Sequence, residues 1–352
     1  MTFKEGKEEY YQGARKKVLF TTLCVIGVVA AFMISLTIGF YDLTVVECYQ
    51  IIINHITGNI EDVMGDDIVW NTRLPISLYA IICGATLAVG GAIMQTILRN
   101  PLADPYTMGI SSGASLGASL SIILGLSLWS GFSDDLSLVT MAFVFSLIPV
   151  GVILFFSIVR KTTPSKIILI GIAVMYMFSA ITSLLMVTAS EESLAEIYAW
   201  NIGSLATITW PDVPLPLIVS TLCIIFLYSQ SRSINVMMSG ENTSRSLGIN
   251  TRRMTMICMV VISMMTAVVV CFCGTIGFVG LVGPHIARVF VGSETRYLLP
   301  ASAAFGALFL LVANCIAMVA GTFGLPVGVV SSLIGCPLFI FLLLKMRRKA
   351  WK

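Results

Sequence analysis

The feature that most constrains this chain is a succession of ten apolar runs separated by polar turns. They lie near residues 18–40, 74–98, 107–127, 137–159, 167–189, 213–229, 254–273, 276–290, 297–319 and 327–344. A helix rises about 1.5 Å per residue, so about 20 apolar residues cover the roughly 30 Å of bilayer hydrocarbon. Only 11% of the residues are charged, where a soluble domain carries about 25%. That is too little charge to coat a water-facing surface. Disordered, collagen-like and disulfide-scaffold chains are excluded by the same composition. The expected fold class is all-α: a polytopic membrane protein with about ten transmembrane helices. Residues 18–344 would form one transmembrane domain between a polar segment, 1–17, and a basic tail, 345–352.

Two runs need comment. The first follows Arg15, Lys16 and Lys17 like a secretory signal, but its apolar stretch exceeds the roughly 7–15 residues of a signal core. It reads as an uncleaved helix. The eighth is short and bounded by glycine and proline, which predicts a half-helix or a re-entrant segment. Such pieces persist in a membrane only where protein or a wet cavity covers them.

The net charge of +3 hides an asymmetry. With the N-terminus inside and ten crossings, 20 of the 21 Lys and Arg residues fall on the cytoplasmic side, as the positive-inside rule demands. Arg73 is the one base outside. Twelve of the 18 acids fall outside. Both termini are therefore expected in the cytoplasm.

No Asp or Glu lies within these ten runs. A proton-coupled carrier usually needs an intramembrane carboxylate or histidine, and only His285 and Arg288 are placed for such a role. A lone histidine near a membrane face reads more simply as a structural hydrogen-bonder. The phosphate-cradling G-x-x-x-x-G-K-[ST] pattern is absent, as are H-E-x-x-H and acidic metal clusters. No cofactor or metal site is expected, and no catalytic residue. Nine cysteines scattered without a C-x-x-C pair read as small apolar packers, and the scattered methionines as core filler. Energy for active transport would come from a separate subunit or an ion gradient.

Four strings carry mechanical content. Arg99-Asn100-Pro101-Leu102-Ala103-Asp104-Pro105 places two prolines four apart, which breaks any helix and predicts a rigid cytoplasmic corner. Asp104 and Thr107 can cap the helix that follows. Gly109, Gly113 and Gly117, with Gly84, Ala88 and Ala92 in the second run, make small-residue stripes for close helix approach, within the chain or between chains. The internal loop of about 230–253 contains Gly240-Glu241-Asn242-Thr243-Ser244-Arg245-Ser246-Leu247-Gly248, a short polar helix with one apolar knob. It suits docking in a partner's groove, or equally a solvated loop helix. Gly274 to Arg288, including Gly283, Pro284 and His285, holds too many glycines for a plain span.

Together with Arg73-Leu74-Pro75, Gln95, Trp200-x2-Gly203-Ser204 and Leu325 to Gly328, these strings resemble the FecCD family. That family comprises the permease subunits of ATP-driven importers for iron-siderophore, haem and cobalamin. The resemblance runs from about residue 70 to 344. It implies a permease without catalysis of its own, paired with a second permease copy, two cytoplasmic ATPase subunits and an external binding protein. By the same resemblance Gly240, Glu241, Arg245, Leu247 and Gly248 form the ATPase-coupling element, and Arg73 docks the binding protein. Ile76 stands where many members carry a second arginine. The turn with Thr162 and Ser165 matches the cytoplasmic gate, and the fifth and tenth helices match the pathway lining. Helical spacing then selects Ile168, Ile172, Met175, Ser179 and Ser183 from the fifth, and Ser331, Ser332 and Gly335 from the tenth. An iron chelate is the default cargo, with cobalamin and haem as alternatives. An ion-coupled secondary carrier is the competing reading; an intramembrane enzyme lacks any nucleophile–base or metal set within the spans.

Overall fold

The computed structural model describes residues 3–39, 41, 43–129, 131, 133–160, 163–320 and 324–345. Among them the regular structure is helical. The elements are α1 (Phe3–Ser35), α2 (Val45–Thr57), α3 (Val63–Leu98), α4 (Ile110–Leu124), α5 (Asp134–Arg160), α6 (Pro164–Val187) and α7 (Glu191–Ile202). They continue as α8 (Pro214–Ser229), α9 (Ser231–Met238), α10 (Glu241–Ser246), α11 (Thr251–Cys273), α12 (Val279–Val291), α13 (Thr295–Val319) and α14 (Val327–Lys345). The ten apolar runs become α1, α3 to α6, α8 and α11 to α14. Eight are long and apolar enough to cross a bilayer, while α4 and α12 are shorter.

Two further helices, α2 and α7, stand at the end of the bundle that carries the acidic loops. Neither run is apolar enough to register as a span. The start of α2 is set by a reciprocal cap. Thr44 N–H donates to Glu47 Oε2 at 2.7 Å, and Glu47 N–H donates to the Thr44 hydroxyl at 3.3 Å. The Thr44 amide and hydroxyl together hold the Glu47 carboxyl below the usual carboxylate range. Gly58 ends the helix at φ +79°.

Helix α3 is the axis of the fold: 83% of its apolar window is buried, against 17% for α1. It packs most heavily against α13, α12 and α11, and α4 packs on α5 and α6. Close approach explains the small-residue stripes. A Cβ on Gly84 would run into the backbone of Gly306, and one on Gly91 into the Gly280 carbonyl. On α4, Gly113 and Gly117 press on the backbone of Phe145 and Met141 of α5 in the same way. Both stripes are therefore spent inside the chain, where backbone-to-backbone packing supplies the attraction that lipid cannot.

Two irregular segments meet inside this frame. Residues 99–109 turn at the basic end of α3, as the two prolines suggested, and from Ala103 on they climb back into the bundle. Pro105 lies against Gly90, and Asp104 Oδ2 sits 2.9 Å from the Cβ position of Gly280. Asp104 is only 5% exposed. Its Oδ1 accepts from Tyr106 N–H at 2.8 Å, and Thr107 completes the capping box. The second segment, 274–278, separates α11 from α12. Gly274 and Phe278 both hold positive φ, which lets the chain turn back at the head of a short helix. Its exposed backbone groups find partners: Ile276 N–H donates to the Tyr106 hydroxyl at 3.2 Å, and Cys273 C=O accepts from Ser204 N–H at 2.9 Å. Such pairing is what allows broken backbone at membrane depth. The half-helix expected for the eighth run is thus α12.

Candidate functional site

The basic end of the bundle carries the most developed polar site. Helices α9 and α10 project there between α8 and α11. Helix α9 buries Ile234 and Met237 against the bundle. Asn235 Oδ1 accepts from Thr295 N–H at 2.8 Å, which fixes α9 to the start of α13. Arg99, itself at φ +50°, donates to the Met237 carbonyl. That carbonyl belongs to the last turn of α9, where a cation is favoured, and it also accepts from Gly240 N–H at 3.4 Å. Asn100 Oδ1 accepts from Leu102 N–H at 2.9 Å and sets the turn through Pro101 that aims Arg99.

Gly240 turns the chain into α10 at φ +110°. Ser244 is fully buried, and its hydroxyl is 2.7 Å from the Gly240 carbonyl and 3.0 Å from that of Val236. This pins α10 back on α9. The opposite face is bare: Leu247 is 63% exposed, and Arg245 and Glu241 pair at 2.7 Å in the open. Gly248, at φ +78°, ends the element. The five residues expected to make a coupling element therefore do lie together, as a polar helix anchored on one side with an apolar knob on the other. Beneath it a groove of about 790 Å³ runs between Gly248, Ile249 and Asn250 on one wall and Thr163, Pro164 and Ile167 on the other.

That second wall is the start of α6. Thr162 lies outside the described residues. Ser165 is exposed in the first turn of α6, behind Pro164, which a first helical turn tolerates. Along α6 the packed face is Ile167, Gly171, Val174, Phe178 and Thr182. Ile168, Ile172 and Met175 are half-buried at its edge, and Ser179 and Ser183 are exposed. Helix α14 corrects the spacing argument. Ser331 is fully buried and donates to the carbonyls of Gly328 and Gly277, and a Cβ on Gly335 would strike Phe278. Ser332 is half-buried and donates to Gly328. Ser331 and Gly335 therefore seat α14 on the broken segment and do not face an open path, while Leu333, Ile340 and Phe341 hold the exposed face.

Arg73 also departs from expectation. It is 2% exposed, with its guanidinium donating to the carbonyls of Leu36 (2.8 Å) and Tyr41 (2.6 Å). It ties the end of α1 to the start of the apolar part of α3 and presents no free face to a docking protein. In α12, His285 is buried with its ring edge-on to Phe339 at 5.5 Å, and Arg288 is buried one turn on. Gly283 and Pro284 pack with them, Gly283 against Ala88. Among the described residues no group of three metal-ligating side chains occurs.

The model of the FecCD transport family matches residues 27–345. The chain belongs to the FecCD transport family. An ABC transporter permease protein of Methanocaldococcus jannaschii, MJ0087, is 39% identical over 97% of this chain and 99% of its own length. The cobalamin import system permease BtuC of Halobacterium salinarum is 37% identical over 78% of this chain and 73% of its own length. Among solved structures, an inward-facing conformation described as that of a metal-chelate type ABC transporter superposes with a TM-score of 0.82 at 30% identity. It covers 93% of this chain and 99% of the other. The fold is that of an ABC importer permease of type II, and FecCD relatives are transport subunits rather than enzymes.

Sequence reasoning missed three features. The depth of Asp104 was hidden because turn residues reveal that a chain reverses, not where. The burial of Arg73 depends on carbonyls more than 30 residues away. Arg252, counted only as a cytoplasmic charge, turns out to donate to carbonyls of α5.

Proposed function

We propose that this chain is the membrane-spanning subunit of an ATP-driven importer that carries a metal chelate inward, with an iron complex as the first cargo to test. The basic end is the cytoplasmic face, and both termini lie there. Two ATPase subunits dock on α9 and α10, a second copy of this chain completes the pathway, and an external binding protein delivers the cargo. The observation that carries the reading is the coupling element. Arg99, Asn235 and Ser244 hold it from within, yet its outer face exposes Leu247 beside an Arg245–Glu241 pair. An apolar knob in a charged rim is the anatomy of a docking hot spot. The metal-chelate description of a structural relative and the cobalamin role of BtuC from Halobacterium salinarum support the cargo class.

The test is uptake by proteoliposomes holding the permease with its ATPase and binding protein. A ferric hydroxamate, cobalamin and haem would each be offered. Uptake of one of them that requires ATP is expected. Uptake driven by a sodium or proton gradient without ATP would favour the secondary-carrier reading.

A further inference from the structure

Arginine 252 sits at the first turn of α11, two residues after the loop that closes the coupling element. Its guanidinium donates to the carbonyl of Ser157 and, at 2.8 Å, to that of Ile158. Helix α5 ends at Arg160, so both carbonyls belong to its last turn, where helices take caps. A guanidinium there also meets the negative end of the helix dipole. The contact is thus a C-cap supplied from a distant segment, 94 and 95 residues away in sequence.

Its place in the fold gives it a further consequence. The residues that follow the α5 terminus lead directly into Pro164, Ser165 and the start of α6. On the other side, Asn250 caps α11 through Arg253 N–H at 3.0 Å, so the coupling loop passes rigidly into Arg252. The entrance of the coupling unit is held by the central helices, through Arg99 at the end of α3 and Thr295 at the start of α13. Its exit runs into α11, which packs on α3 and α5, and Arg252 ties that exit to the end of α5. A displacement of α10 therefore pulls through Arg252 on the end of α5, from which the chain runs on to the start of α6.

We infer that Arg252 is the positioning residue that transmits movement of the coupling element to the end of α5 and the start of α6. This rests on the ATP-driven reading above, and one experiment separates the two. Ser165→Cys reports exposure at the start of α6 by its rate of labelling with a membrane-impermeant maleimide, after subtraction of the background from the native cysteines. The permease–ATPase complex in proteoliposomes would be labelled with and without ATP and vanadate. In the Ser165→Cys background, ATP should change the labelling rate. Arg252→Ala should keep ATP hydrolysis while shrinking the ATP-dependent change by roughly fivefold, the effect of losing a charged helix cap. Arg252→Lys, which keeps one donor, should restore part of it, and Arg253→Ala should leave it intact. A full ATP response in Arg252→Ala overturns the inference. An equal loss in Arg253→Ala, or in a variant whose hydrolysis also fails, assigns the effect to general disruption and overturns it too. If the Ser165→Cys protein with no other change shows no response to ATP, the ATP-driven reading itself is contradicted.

Discussion

At the residue scale, buried charge decides what can be changed. Asp104 and Arg73 each sit at 5% exposure or less, and each is held by backbone groups. Removing a charged partner from buried hydrogen bonds costs about 1.5–3 kcal/mol. Arg73→Ala is therefore expected to lower the melting temperature of the detergent-solubilised permease, measured by tryptophan or thiol-dye fluorescence. An unchanged melting temperature would return Arg73 to a docking role. Asp104→Asn keeps the acceptor for Tyr106 N–H but removes the charge beside the N-terminal turn of α12. It should cost less, up to about 2 kcal/mol. The sequence showed both charges but not their burial. Arg73 stands between polar Asn71–Thr72 and an apolar run, as any interfacial arginine would. The carbonyls of Leu36 and Tyr41 meet it in the fold and help take it out of water.

At the element scale, the readable features were those with a local cause. The glycine that ends α10 and the glycine-broken α12 follow from neighbouring residues, and the structure holds each where the pattern placed it; α6 starts at Pro164, three residues ahead of the apolar run. The faces of α6 and α14 were less legible. Serines on an apolar helix can line a path or bond back to the preceding turn, and Ser331 does the latter. The coupling element carries its own expectation. Leu247→Asp places a charge on the docking knob and should cut ATP-driven uptake at least about tenfold, because an unpaired charge is costly to bury at an interface. Arg245→Glu sets two acids side by side on α10 and should impair uptake in the same direction. Full activity in both variants would remove α10 from the docking surface. A single substitution, Gly91→Leu, tests the helix packing: the side chain would meet the Gly280 backbone, and overpacking of this kind costs about 1–3 kcal/mol or more.

At the scale of the whole molecule, the apolar helical runs were legible because hydrocarbon thickness acts on composition alone, and the positive-inside rule turns their flanking charges into an expected orientation. The half-depth meeting of residues 99–109 with α12 was not, since it depends on contacts between segments far apart in sequence. Sidedness follows from the same charges: a cysteine at Asn242 should label only from the cytoplasm, and one at Glu192 only from outside. The reverse pattern would invert the account. The most direct test of the central claim is purification of the tagged permease from its native membrane in mild detergent, followed by measurement of ATP hydrolysis in the eluate. The account predicts a co-eluting ATPase subunit with vanadate-sensitive hydrolysis, both lost in Leu247→Asp. A permease that elutes without any ATPase, or an association indifferent to Leu247→Asp, would contradict it.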